Sequence, residues 1–124
     1  MSDPLQDFID KAEEYLSYAR ILLDAGKPEG AITPCYYAYF WLVKGLLSQK
    51  EVEIKSHSAA RDLFALHYIE TGEIPKLFGS ELHDLFQTRQ LADYTLRPSI
   101  DEEEAKECIE AVEKFLTFIN EHYA

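Results

Sequence analysis

Several absences narrow what this chain of 124 residues can be. It has only two cysteines, Cys35 and Cys108, and no C-x-x-C pair. Each cysteine stands in apolar, helical-looking sequence, so both are expected as reduced, buried core residues rather than a disulfide. The N-terminus lacks a basic stretch followed by an apolar one, so no signal peptide is expected. No apolar run reaches the ~18 residues of a membrane-crossing helix. Together these readings predict a cytoplasmic protein without a membrane partner. Positive charge is also scarce, with 12 Lys and Arg against 23 Asp and Glu and a net charge of −11. Such a chain repels nucleic acid at long range, and DNA is not expected as a partner.

The charge is unevenly spread. Residues 1–25 hold six acids and two bases, and residues 99–124 hold eight acids and two bases. Residues 26–98 hold nine acids and eight bases, including three of the four arginines. An anion would therefore be met through the middle of the chain. With 124 residues, a single domain over 1–124 is expected. A domain of this size buries about two-thirds of its unfolded surface and needs no metal or disulfide.

Helical periodicity dominates. Leu5, Phe8, Ile9, Ala12, Leu16, Ala19, Leu22 and Leu23 recur at i, i+3, i+4 spacing. Asp3 is a candidate cap for this helix, Pro4 suits its first turn, and Gly26 ends it. The segment from Ala31 to Leu47 is apolar all round, as a buried central helix requires. Pro34 leaves its start open between Pro28 and Pro34, and local rules prefer a helix starting at Pro34 with Thr33 as cap. A third helix starts near Ser56 or Ser58 and runs through Tyr68 to Thr71-Gly72. A fourth follows Pro75, covers Phe78 to about Leu96 and is ended by Pro98. A fifth opens at the capping box Asp101-Glu-Glu-Glu104. Five helices without a strand signal predict an all-α bundle.

Familiar chemistries are poorly served. The Glu-x-x-His pairs of di-iron bundles are missing, and the four histidines have no metal-ligand spacing, so no metal or cofactor is expected. His67, His83 and His122 are expected in structural or surface roles. No glycine-rich phosphate loop or nucleophile elbow occurs. Tyr36, Tyr37 and Tyr39 are expected to reach from the core with hydroxyls toward solvent or partners, although a base could stack on them. Arg89 and Asp93 are the unusual pair. On a helical projection both fall inside the apolar stripe of Leu82, Leu85, Phe86, Ala92 and Leu96, which suits either a buried ion pair or a guanidinium kept in a cleft for phosphate. Tyr94 projects to a different side.

The stretches AITPCYYAYFWLVKGLL, KSHSAARDLFALHYIETGEIP and LHDLFQTRQLADYTL, followed by an acidic last helix, together resemble the HEPN domain family over essentially the whole chain. The resemblance implies an antiparallel up-and-down bundle of four main helices plus a shorter fifth, a long second helix starting near Pro28, and a homodimer. It also implies either a metal-independent ribonuclease or a partner, a minimal nucleotidyltransferase, in toxin–antitoxin-type two-gene systems, and a nucleotide-binding role. The ribonuclease motif is an arginine followed after four to six residues by histidine. Arg89 matches the arginine, but positions 94–96 are Tyr, Thr and Leu. Metal-free RNA cleavage needs a proton acceptor and donor near neutral pH, which histidine supplies and tyrosine does not. His57 is the remaining candidate imidazole. The expectation is thus a non-catalytic protein binding a nucleotide or a nucleotidyltransferase through Arg89, Asp93, Tyr94, His57, Tyr36 and Tyr37. The alternatives are an endoribonuclease toxin using Arg89 and His57 on RNA, and a ligand-free helical scaffold.

Overall fold

A computed structural model describes residues 4–96 and 99–124. The expected Asp3 cap and Pro98 stop lie outside the described residues. Helix α1 (Pro4–Asp24) buries Leu5, Ile9, Ala12, Leu16 and Ala19 along one stripe. It stops at Gly26, whose φ of 76° is a left-handed conformation that glycine adopts without a Cβ penalty. The turn is closed by the Lys27 amide donating to the Leu22 carbonyl at 2.9 Å.

Helix α2 (Pro28–Gln49) corrects the local reading of its start, because it continues unbroken through Pro34. Pro34 sits in its second turn, where the ring removes one hydrogen bond to the Gly30 carbonyl near an already under-bonded end. Burial outweighs that loss: Ala31, Ile32, Cys35, Tyr36, Ala38 and Tyr39 all have 0% exposure on this segment. The long helix implied by the family resemblance is the one observed.

Helix α3 (His57–Phe64) is capped by Ser56, whose hydroxyl accepts from the Ala59 amide at 3.1 Å. It ends as an α-helix earlier than its periodicity suggests and continues as a π-helical turn over Ala65–Ile69. Helix α4 spans Lys76–Tyr94. Helix α5 (Glu102–His122) is capped by Asp101, which accepts from the Glu104 amide at 2.8 Å.

The four long helices alternate in direction. Contacts Tyr15–Tyr37 and Phe8–Trp41 run antiparallel along α1 and α2. Tyr36–Phe86 and the Tyr39 hydroxyl on the Phe78 carbonyl do the same for α2 and α4, and Phe78–Phe118 with Glu81–Lys114 for α4 and α5. At the heart of the bundle Phe115 lies flat on Tyr39, centroids 4.4 Å apart, and meets Phe78 and Phe64.

Two further readings change. Tyr36 and Tyr39 do not send their hydroxyls to solvent: Tyr36 bonds His57 Nδ1 and Tyr39 donates to the buried Phe78 carbonyl, as Tyr68 does to that of Leu46. Cys35 is buried, but Cys108 is only half-buried, at the α4–α5 seam; both thiols are free. Burial pushes the Cys108 thiol up to about 11. Among the described residues no helix is long and apolar enough to cross a membrane.

α1 packs tightly on α2 at Gly45, where a Cβ would stand 2.7 Å from the Phe8 Cβ. Gly45→Ala should therefore force the two helices apart and cost about 1–3 kcal/mol despite alanine's better helix propensity, read as a lower urea midpoint. An unchanged or higher midpoint would show that α1 shifts freely.

Candidate functional site

Three elements converge beside the first half of α2. The last turns of α4 carry Arg89 and Asp93, whose Nε and Oδ2 lie 3.1 Å apart. Their side chains are 17% and 31% exposed, so the pair is at the rim of the core rather than sealed within it. Thr33 of α2 donates its hydroxyl to Asp93 Oδ1 at 2.7 Å. The carboxylate is thereby held from both sides, and it in turn fixes the guanidinium.

Arg89 rests on an aromatic floor. Its Cζ is 5.1 Å from the Tyr36 ring centroid and 5.4 Å from that of Tyr37, within range for cation–π attraction. Its Nη2 reaches toward the Tyr37 hydroxyl at 3.5 Å, the outer limit of a hydrogen bond. The guanidinium thus keeps further N–H donors uncommitted while its orientation is set.

His57 enters from the first residue of α3, placed there by the Ser56 cap. Its ring stacks on Phe40 at 4.3 Å, and its Nδ1 is 2.7 Å from the Tyr36 hydroxyl. Burial above all, then the charges of Arg89 and Lys44, lower the His57 pKa below its ordinary 6.5. Burial also pushes the Tyr36 phenol up to about 12, against the opposing pull of Arg89 and Arg61. Near neutral pH both groups are uncharged and share one hydrogen bond. The imidazole can accept a proton, but the neighbouring cations oppose its holding one, which is a poor setting for a general acid.

The structure therefore brings together Arg89, Asp93, His57, Tyr36 and Tyr37. It does not bring in Tyr94, which is 78% exposed and makes no hydrogen bond or ring contact with the cluster. Tyr36 itself is fully buried, so its ring face is covered and only the edge of the floor near Tyr37 meets solvent. Sequence reading missed Thr33 and Phe40. Thr33, Tyr37 and Phe40 share one face of α2 at i, i+4, i+7, a spacing that could have revealed them. Among the described residues no group of three or more His, Cys, Asp or Glu side chains is arranged to hold a metal.

The depressed His57 pKa has a direct check. Because the fold favours the neutral ring, this group's contribution to stability is full above about 6.5 and is lost as pH falls through the folded value. A two-dimensional NMR titration should put the His57 midpoint below 6.5 and move it upward in Arg89→Gln. A midpoint at or above 6.5 in the unsubstituted protein contradicts the described environment.

Comparison with known proteins follows the same lines. The HEPN domain model matches residues 5–122. A protein of Methanocaldococcus jannaschii named "Putative toxin" is 34% identical over 115 residues, 92% of this chain and 84% of its own. A second protein so named in that organism is 33% identical over 102 residues, 82% of this chain and 69% of its own. A UPF0332 protein of Thermotoga maritima is 31% identical over 109 residues, 88% of this chain and 83% of its own. A five-helix bundle matched from its first helix to its last, with relatives at this identity, places the chain in the HEPN domain family.

Proposed function

We propose that this chain is a non-catalytic HEPN protein, one domain and homodimeric, that binds a nucleotide or a partner minimal nucleotidyltransferase in a toxin–antitoxin-type pair. The observation that carries the reading is the Thr33–Asp93–Arg89 relay, which fixes a half-buried guanidinium over tyrosines while leaving N–H donors free. A planar fork so held suits the bidentate recognition of phosphate or carboxylate. The naming of two relatives supports the toxin–antitoxin setting. The lack of histidine at positions 94–96 argues against cleavage.

A second reading, a metal-independent endoribonuclease, is favoured by one observation: His57 and Arg89 meet at the same tyrosine, His57 Nδ1 2.7 Å from the Tyr36 hydroxyl and Arg89 Cζ 5.1 Å from its ring centroid. One experiment separates them. The tagged protein is captured from its native cell at low salt, and its companions are identified by mass spectrometry. A stoichiometric nucleotidyltransferase or a bound nucleotide, with added RNA left intact, is the expected result. A bare dimer with neither overturns the proposal in favour of a scaffold. RNA cleavage lost in both Arg89→Ala and His57→Gln establishes the second reading instead.

A further inference from the structure

A second cationic site opens where Arg61 packs on Phe86, between α3 with its π turn and the start of α4. The cavity measures about 290 Å³; its polar lining is Arg61, Lys76, Ser80 and His83 with the carboxylate of Asp62, and apolar side chains of α3, the π turn and α4 supply much of the rest. Arg61 is held rigidly there. Its Cζ sits 3.9 Å from the Phe86 ring centroid, and its Nη1 is 3.1 Å from His83 Nδ1.

That last contact fixes a proton. A guanidinium has donors only, so His83 Nδ1 must be the acceptor and the neutral ring carries its hydrogen on Nε2. Arg61, Lys76, His83 Nε2 and the Ser80 hydroxyl then all offer hydrogen. Arg61 Nε itself is buried and has no hydrogen-bond partner. With almost no accessible area this nitrogen does not open onto the cavity, so contacts to a ligand are left to the Nη groups and the other donors. A π-helical turn in the wall, Ala65–Ile69, is a further departure of the kind that recurs beside binding sites. Against a net charge of −11, two cations, one of them held in place, and two further donors around one carboxylate form a local exception.

We propose that this cavity is a small-oxyanion site, for phosphate or a phosphomonoester, held by Arg61, Lys76, Ser80 and His83. Its size, at the low end for ligand pockets, fits a single phosphate group rather than a whole nucleotide. The site is independent of the Arg89 cluster, and neither proposal needs the other.

The test is an amide NMR titration of the full chain with inorganic phosphate at constant ionic strength, with chloride as control. Saturable shifts are expected at the Gly79 and Ser80 amides. Lys76→Ala, at an exposed helix start, should weaken the apparent affinity about tenfold or more, as should Arg61→Gln. Arg89→Ala should leave these shifts unchanged, so failure here and failure of the proposed function are separately visible. Repeating the titration with adenosine 5′-monophosphate distinguishes the source: tighter saturation of the same amides means a phosphomonoester, and equal affinity means free phosphate. Non-saturating shifts shared with chloride, or saturation unaltered in both Lys76→Ala and Arg61→Gln, would overturn the site.

Discussion

Arg89→Ala should lower affinity for the nucleotide or nucleotidyltransferase captured with the protein by about 10- to 100-fold, the range for removing a charge-assisted hydrogen bond. The fold should survive. Both members of the Arg89–Asp93 pair are partly in water, so losing the guanidinium strands no fully buried charge, and the cost in stability should stay near 1–2 kcal/mol. Arg89→Lys should rescue little of the binding, since an ammonium lacks the planar fork that can hold Asp93 and a ligand together. Asp93→Asn should act through Arg89. It weakens orientation without removing the cation, and its loss of affinity should fall short of that in Arg89→Ala. Calorimetric titration of the four proteins, with thermal melts alongside, reads both quantities. Unchanged affinity in Arg89→Ala would remove Arg89 from the site.

The largest effect on stability is expected at Phe115→Ala, about 3–5 kcal/mol. The ring is fully buried and stacks on Tyr39 at 4.4 Å with planes 14° apart. It also meets Phe78 at 5.0 Å and Phe64 at 5.8 Å. One side chain of α5 thus touches α2, α3 and α4 together. Truncation leaves a void whose walls belong to four different helices and cannot all close on it. Aromatic pairing adds to the loss beyond the buried area. For a domain whose total stability is about 5–15 kcal/mol, this is a third or more of the whole. Phe115→Leu should recover most of it. Urea titration of both variants checks the order, and a small, equal effect would mean that the core repacks around the gap.

Much of the fold was legible. The stripes of α1 and α5 declare themselves by period, and Ser56 and Asp101 act as the caps their positions suggest. Helix α2 was not legible locally. Pro34 is a good first residue by every short-range rule, and only the burial of Ala31 and Ile32 against neighbouring helices carries the helix back to Pro28. The π turn after Phe64 left no mark in the periodicity either.

The candidate site was legible in its charged members and not in its partners. Arg89 and Asp93 stood out because they broke an apolar pattern. Thr33, 60 residues away in sequence, did not, and the Tyr36–His57 bond spans 21 residues. Such contacts exist only once α2, α3 and α4 are assembled. The same is true of the tyrosine hydroxyls, whose acceptors at Leu46 and Phe78 are carbonyls that no side-chain pattern announces.

The bundle also sorts its charge. α1 and α5 lie side by side, joined by Arg20 and Glu113 at 2.8 Å, so the two acidic ends of the chain form one flank. The near-neutral segment with Arg61 and Arg89 forms the other. The molecule is consequently a field with a direction, and it enters an encounter already turned. A polyanion, or a second copy of the chain, meets repulsion on the α1–α5 flank and is steered to the opposite side before any contact forms. Beyond roughly 8 Å in physiological salt that guidance fades. Salt should therefore slow arrival at the α2–α4 face more than it loosens what has already docked there.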